Sequence, residues 1–115
     1  MISGIDLNAT VDYALKNDTE NPTVFKLGVL PAYILAQLGA QAQTDFKAQV
    51  ETMFRVLQIS IKGWSNFGDI EYRTVKEKIF GRELDIVPFE LIERLPLEVI
   101  TELSTKIFEI NKLIK

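Results

Sequence analysis

The chain has no cysteine and no histidine among its 115 residues. That excludes disulfides, thiolate nucleophiles, the imidazole general base, and metal sites built on thiolate or imidazole ligands. Carboxylate-only metal sites and lysine or tyrosine chemistry survive this filter. Glycine is scarce, and Gly63, Gly68 and Gly81 stand isolated with no Gly-Lys-Ser/Thr after them, so no phosphate-cradling loop is expected. Long apolar runs are missing too. The longest, Leu27 to Ala36, contains Pro31 and is about half the length a bilayer span needs. Residues 1–20 lack a basic start followed by an apolar stretch, so neither a secretory signal nor membrane association is expected.

Charge of one sign is also missing. The formal net charge is -3, and acidic and basic residues are mixed along the whole chain. The nearest approach to a positive patch is Lys76, Lys78 and Arg82, but Glu77 and Glu83 interrupt it, so no nucleic-acid partner is expected. What is present is ordinary globular composition, 47% hydrophobic and 25% charged, on a length that suits one domain. Residues 1–9 read as a mobile arm or an edge strand, and 10–115 as the domain. A cysteine-free composition fits a cytoplasmic protein.

Along the chain, Thr10 to Leu15 alternates apolar Val11, Tyr13 and Leu15 with polar or small neighbours, as a half-buried strand does. Lys16 to Pro22 is dense in turn residues, and Thr23 to Val29 resumes as a second strand, which makes a hairpin. Pro31 suits the first turn of a helix whose stripe is Ile34, Leu35 and Leu38. Ala32, Ala36 and Ala40 recur every fourth residue, either as plain helix formers or as a smooth strip for a close helix neighbour. Thr44 or Asp45 can cap a second helix running to about Lys62, with Phe46, Val50, Met53, Phe54, Leu57 and Ile61 toward the core.

Gly63 is then placed to end that helix in the left-handed conformation, with Trp64 folding back over it. Ile70 to Val75 and Leu84 to Val87 read as strands reversing near Gly81, while Lys76 to Phe80 fits either more strand or one helical turn. Pro88 opens a short helix, and Pro96 starts the last one. There Ile100, Leu103, Ile107, Ile110 and Ile114 form a seam that Phe108 widens. Glu98 and Glu102 lie early in that helix and Lys106, Lys112 and Lys115 late, matching its dipole, with Glu102 and Lys106 spaced to pair. The fold class is therefore α+β: an N-terminal β-hairpin, central helices, a second short β-hairpin and a C-terminal helix pair in one compact domain.

Catalysis by paired carboxylates would need two acids held together. Asp69 with Glu71, Glu83 with Asp85, and Glu90 with Glu93 are the available pairs, and each is read more simply as a solvated edge or helix face. No catalytic, cofactor or metal residue is assigned, and no enzyme activity is expected. Candidate partner-binding residues are Trp64, Asn66, Phe67 and Tyr72 around the only tryptophan, and Ile100, Leu103, Ile107 and Ile110 on the last seam. For Trp64 and Phe67 the alternative is a ring pair sealing the core. For the seam, barely two heptads long, it is an ordinary core-facing helix.

Three stretches together resemble a known family. Thr23-Val24-Phe25-Lys26-Leu27-Gly28-Val29-Leu30, then Leu57 through Asp69 with its Lys-Gly-Trp-x-Asn-Phe core, then Phe80-Gly81-Arg82-Glu83 followed by Leu95-Pro96 and the Glu102-Leu103 helix are similar, in that order, to small morphogenesis proteins of tailed bacteriophages, particularly tail assembly chaperones. The middle departs from that pattern, with only Gly39 to Thr44 where a longer insertion often sits. The resemblance implies a non-catalytic protein of the host cell cytoplasm that binds the tape measure protein or tail tube subunits. A host-facing protein that binds, or is sensed by, a bacterial regulatory or defence protein is the alternative, and a minor structural component of the virion is the third.

Overall fold

The computed structural model describes residues 4–16 and 20–112. Its elements are β1 (Thr10–Ala14), β2 (Val24–Gly28), α1 (Ala32–Ala42), α2 (Phe46–Ser60), β3 (Ile61–Ser65), β4 (Val75–Ile79), β5 (Arg82–Ile86), α3 (Phe89–Ile92) and α4 (Leu97–Lys112). The class is α+β, with both hairpins, the central helices and the C-terminal helix pair in the expected order. No helix among the described residues is long and apolar enough to cross a membrane. Ile114, expected at the end of the seam, and Lys115, expected as a late basic residue of the same helix, lie outside the described residues, as do Met1 to Ser3 of the arm, Asn17 to Thr19 of the first turn and the side chain of Lys112. The rest of the arm is not an edge strand: residues 4–9 are irregular, with a turn held by Ala9 N–H donating to the Asp6 carbonyl.

Two antiparallel sheets form, one of order β1-β2-β3 and one of β4-β5. β3 overturns the helix-cap reading of Gly63. α2 ends at Ser60, and Ile61 passes straight into extended backbone at φ -75 and ψ 116. Two contacts hold this junction: the buried Ser60 hydroxyl donates to the Gly28 carbonyl at 2.5 Å, and Ile61 pairs with Leu27. Gly63 then pairs with Lys26 and Trp64 with Phe25, and the left-handed positions fall later, at Asn66 and Gly68. Apolar residues at helical spacing up to Ile61 concealed the change, because a short apolar run suits either structure.

This geometry makes a prediction. A Cβ on Gly63 would meet Lys26 Cδ at 3.4 Å, an ordinary contact. Gly63→Ala should leave stability unchanged or raise it by up to about 1 kcal/mol in urea denaturation. A loss of roughly 1–2 kcal/mol would instead indicate a left-handed cap.

The strand expected at Ile70 to Val75 begins only at Val75. Side chains hold residues 70–74 against β3: Trp64 Nε1 donates to the Ile70 carbonyl at 2.9 Å, and Tyr72 Oη donates to the Ile61 carbonyl at 2.7 Å. Lys76 to Ile79 resolves as strand, and Phe80 and Gly81, both at positive φ, make the two-residue reversal into β5.

α2 is the centre of the molecule, packing against α1, α4, α3 and β5. Asp45 caps it, accepting from Ala48 N–H at 2.8 Å. Val56, Leu57 and Ile59 are buried, whereas Phe46, expected in the core, is 77% exposed at the first turn. The core is completed by Phe25 and Leu27 of β2, Leu30, Ile34 and Leu38 around α1, Ile86, Val87 and Ile92, and the α4 residues Ile100, Leu103, Ile107 and Ile110. Ala32, Ala36 and Ala40 are exposed, so they serve as helix formers and not as a packing strip. Phe108 is 42% exposed and outside the core, so it does not widen the buried face as expected.

Candidate interaction surface

The candidate residues separate into two groups. Trp64, Phe67 and Tyr72 gather with Phe25 at one end of the three-stranded sheet. Trp64 meets Phe67 edge-on at 5.2 Å and Tyr72 at 5.0 Å between centroids, and Phe25 lies 6.1 Å from Trp64 and 6.0 Å from Phe67. The three rings are half-buried against a fully buried Phe25. Asn66 is exposed at φ 58, and its amide donates to Asn21 Oδ1 and the Pro22 carbonyl while its own carbonyl accepts from Thr23 Oγ1. These bonds tie the β3 exit to the β1–β2 turn. Burial, and then the charge of Asp85, raise the pKa of Tyr72 above its ordinary value.

The second group, Ile100, Leu103, Ile107 and Ile110, faces the interior as an ordinary core stripe. In this conformation none of the four is open to a partner.

Among the described residues β1 pairs only with β2, so its other edge carries unpaired backbone groups, as do the outer edges of β3, β4 and β5. Val11 is 42% exposed on β1. Beside the β1 edge a cavity of about 400 Å3 is lined by Tyr13 and Lys16 together with Glu98, Thr101, Glu102, Thr105, Lys106 and Glu109 of α4. Glu102 is its organiser. Its Oε2 accepts from Tyr13 Oη at 2.5 Å and from Lys16 N–H at 3.0 Å, joining β1 to α4. The expected pairing of Glu102 with Lys106 does not form. Lys106 Nζ instead lies 3.8 Å from Glu109 and 5.7 Å from the Tyr13 ring centroid, while the Tyr13 hydroxyl takes the Glu102 carboxylate. Nothing in the sequence announced this pairing, because Tyr13 and Glu102 are 89 residues apart.

Partial burial, the hydrogen bond to Glu102, and the charges of Glu102 and Glu109 push the Tyr13 pKa from 10.0 up to about 12. The folded chain therefore keeps this proton where the unfolded chain has released it. The contribution to stability is whole below pH 10 and is lost as the pH rises from 10 to about 12. Tyr13→Phe should accordingly flatten the fall of urea midpoint with pH across that window. An unchanged slope would show that the hydroxyl is free in solution.

Glu83 and Asp85 both approach Lys76, at 3.9 and 3.1 Å, and Glu90 bonds Arg73. Asp69, Glu71 and Glu93 are exposed. Glu77 bonds Arg55 at 2.5 Å, so of the hairpin's acids Glu77, Glu83 and Asp85 all lie against basic residues. Among the described residues no group of three or more acids lies close enough to hold a metal ion.

No protein-family model matches the chain, and neither curated proteins nor solved structures give a significant match.

Proposed function

We propose that the protein is non-catalytic and works by binding another protein during assembly of a bacteriophage tail, in the manner of a tail assembly chaperone. The three ordered sequence blocks support this reading, and the open β1 edge beside the Glu102-lined cavity is the structural observation that carries it. An extended client segment can add to such an edge through backbone hydrogen bonds, with side chains reaching the cavity for selectivity. The clients are the tape measure protein or tail tube subunits, met in the host cell cytoplasm. Co-expression tests it: each client alone should be insoluble or short-lived and should co-purify with this chain in soluble form. If neither a tape measure nor a tube protein is captured, the assembly reading fails.

The same free edge also favours a second reading, in which the strand docks on a bacterial regulatory or defence protein. Deleting the gene separates the two. Tailless particles support assembly, whereas intact virions with altered host sensitivity support the host-facing role. Recovery of the chain in purified virions would instead make it a minor structural component.

A further inference from the structure

Lys62 is the extra residue of a β-bulge. Ile61 pairs with Leu27 and Gly63 with Lys26, so Lys62, between those two pairs, has no partner on β2. A bulge re-aims a side chain. Here the aliphatic stem lies across buried Gly28, where a Cβ would stand 3.0 Å from Lys62 Cε and 3.1 Å from its Cγ. Any side chain at position 28 would push the stem aside, so the glycine and the bulge together set the direction of the lysine. Lys62 thereby lines a cleft of about 250 Å3 between the first sheet and β5, walled by Leu7, Val29, Pro31 and Leu84 and rimmed by Glu83 and Asp85.

The amine itself is uncommitted. Lys26, Lys47, Lys76 and Lys106 each lie against a carboxylate, whereas among the described residues Lys62 forms no ion pair. It keeps contact with solvent, so a small molecule can reach it. Desolvation where the two sheets crowd the amine, partly opposed by the charge of Asp85, lowers its pKa and leaves more of it as free base. A lysine desolvated beside apolar walls is a nucleophile toward carbonyl carbon. The nearby charge then selects among carbonyl reactions. Acylation would convert the amine to a neutral amide and forfeit the attraction of Asp85, whereas an imine can hold a proton and remain a cation beside it. Carboxylates at the rim disfavour an anionic reactant, and the walls favour an apolar one. The volume exceeds the ~150 Å3 of an apolar cavity that takes up benzene, which leaves room for one ring.

We propose that Lys62 is a covalent binding site for small, neutral, apolar aldehydes, which it holds reversibly as a protonated imine. The Nζ lone pair forms a bond to the carbonyl carbon while the carbonyl π electrons move to oxygen. Proton transfer from nitrogen to that oxygen gives the carbinolamine. A second proton, the one released when the ammonium became free base, lets the oxygen depart as water while the nitrogen lone pair completes the C=N bond. One ammonium and one aldehyde thus give one iminium and one water, with no oxidant or reductant. The site is independent of the β1 edge, so its failure leaves the assembly reading untouched.

Benzaldehyde added to the full chain at neutral pH, with cyanoborohydride to reduce the imine and mass spectrometry to locate the label, tests the proposal. Lys16 and Lys78 are the internal comparison, since they are exposed and also lack an ion pair among the described residues. Lys62 should label at least about fivefold faster than either, with a rate that saturates in benzaldehyde while theirs stays linear. Glyoxylate, an anionic aldehyde, should lose that preference on the unaltered chain. Gly28→Ala, which displaces the lysine stem, should lower Lys62 labelling at least about threefold and leave Lys16 and Lys78 unchanged. Labelling of Lys62 no faster than Lys16 or Lys78 would overturn the site. Equal preference for glyoxylate, or a linear rate at Lys62, would show an amine that reacts without the cleft and would overturn it as well.

Discussion

Trp64→Ala is expected to lower stability by about 3 kcal/mol, toward the lower end for loss of a large aromatic because the ring is only half-buried. The ring holds three partners together: it sits opposite Phe25 in the β2–β3 ladder and meets Phe67 and Tyr72 edge-on. Its indole N–H also anchors the Ile70 carbonyl, which keeps residues 70–74 along β3. Trp64→Phe retains the ring contacts in part and loses that bond, so it should cost about 1 kcal/mol less than alanine. Because Trp64 is the only tryptophan, the variants are compared by circular dichroism in urea. The native chain should show blue-shifted, quencher-protected emission. A loss below 1 kcal/mol with red-shifted emission would move the ring to the surface and revive it as an anchor for a partner.

Leu103→Ala should cost as much or more, about 3–5 kcal/mol. Leu103 is fully buried where α4 packs on the central helix, between Ile100 and Ile107. The size of the loss distinguishes two roles for the seam. As core, its truncation lowers the urea midpoint sharply, and partner capture falls only in proportion to unfolding. As a docking face, it would leave the isolated chain stable and abolish capture. Measuring stability and co-purification on the same variant decides between them, and the burial of all four seam residues predicts the first outcome.

Much of this fold was legible because it rests on local signals. The alternation from Thr10 to Leu15 and the β-branched run after Pro22 are period-two patterns, and they became β1 and β2. A cap at Thr44 or Asp45, of which the structure uses Asp45, and a reversal near Gly81 were readable because those positions ask for particular side chains or backbone angles. The α4 seam was visible for the same reason. The errors fall where two local readings were equally good. Ile61 continued the spacing of a helix and Gly63 read as its cap, yet Ile61 to Ser65 became a strand, since pairing with β2 satisfied backbone groups that another helical turn would have bonded internally. Phe46 matched the stripe but sits at the first turn of α2, beyond the reach of the core.

The sequence by itself determined the α+β class, the order of the hairpins and helices, and the exclusion of thiol and imidazole chemistry, since composition and short-range periodicity are properties of the chain alone. Only the tertiary structure decided that β3 grows directly out of α2 and that Trp64 belongs to a four-ring cluster. It also decided that Glu102 bonds Tyr13 in preference to Lys106, and that Lys62 is left in a bulge with its stem across Gly28, beside a cleft. The physical reason is distance. Each of these depends on groups far apart in sequence competing for the same hydrogen bond or the same volume, and that competition is settled only when the elements pack.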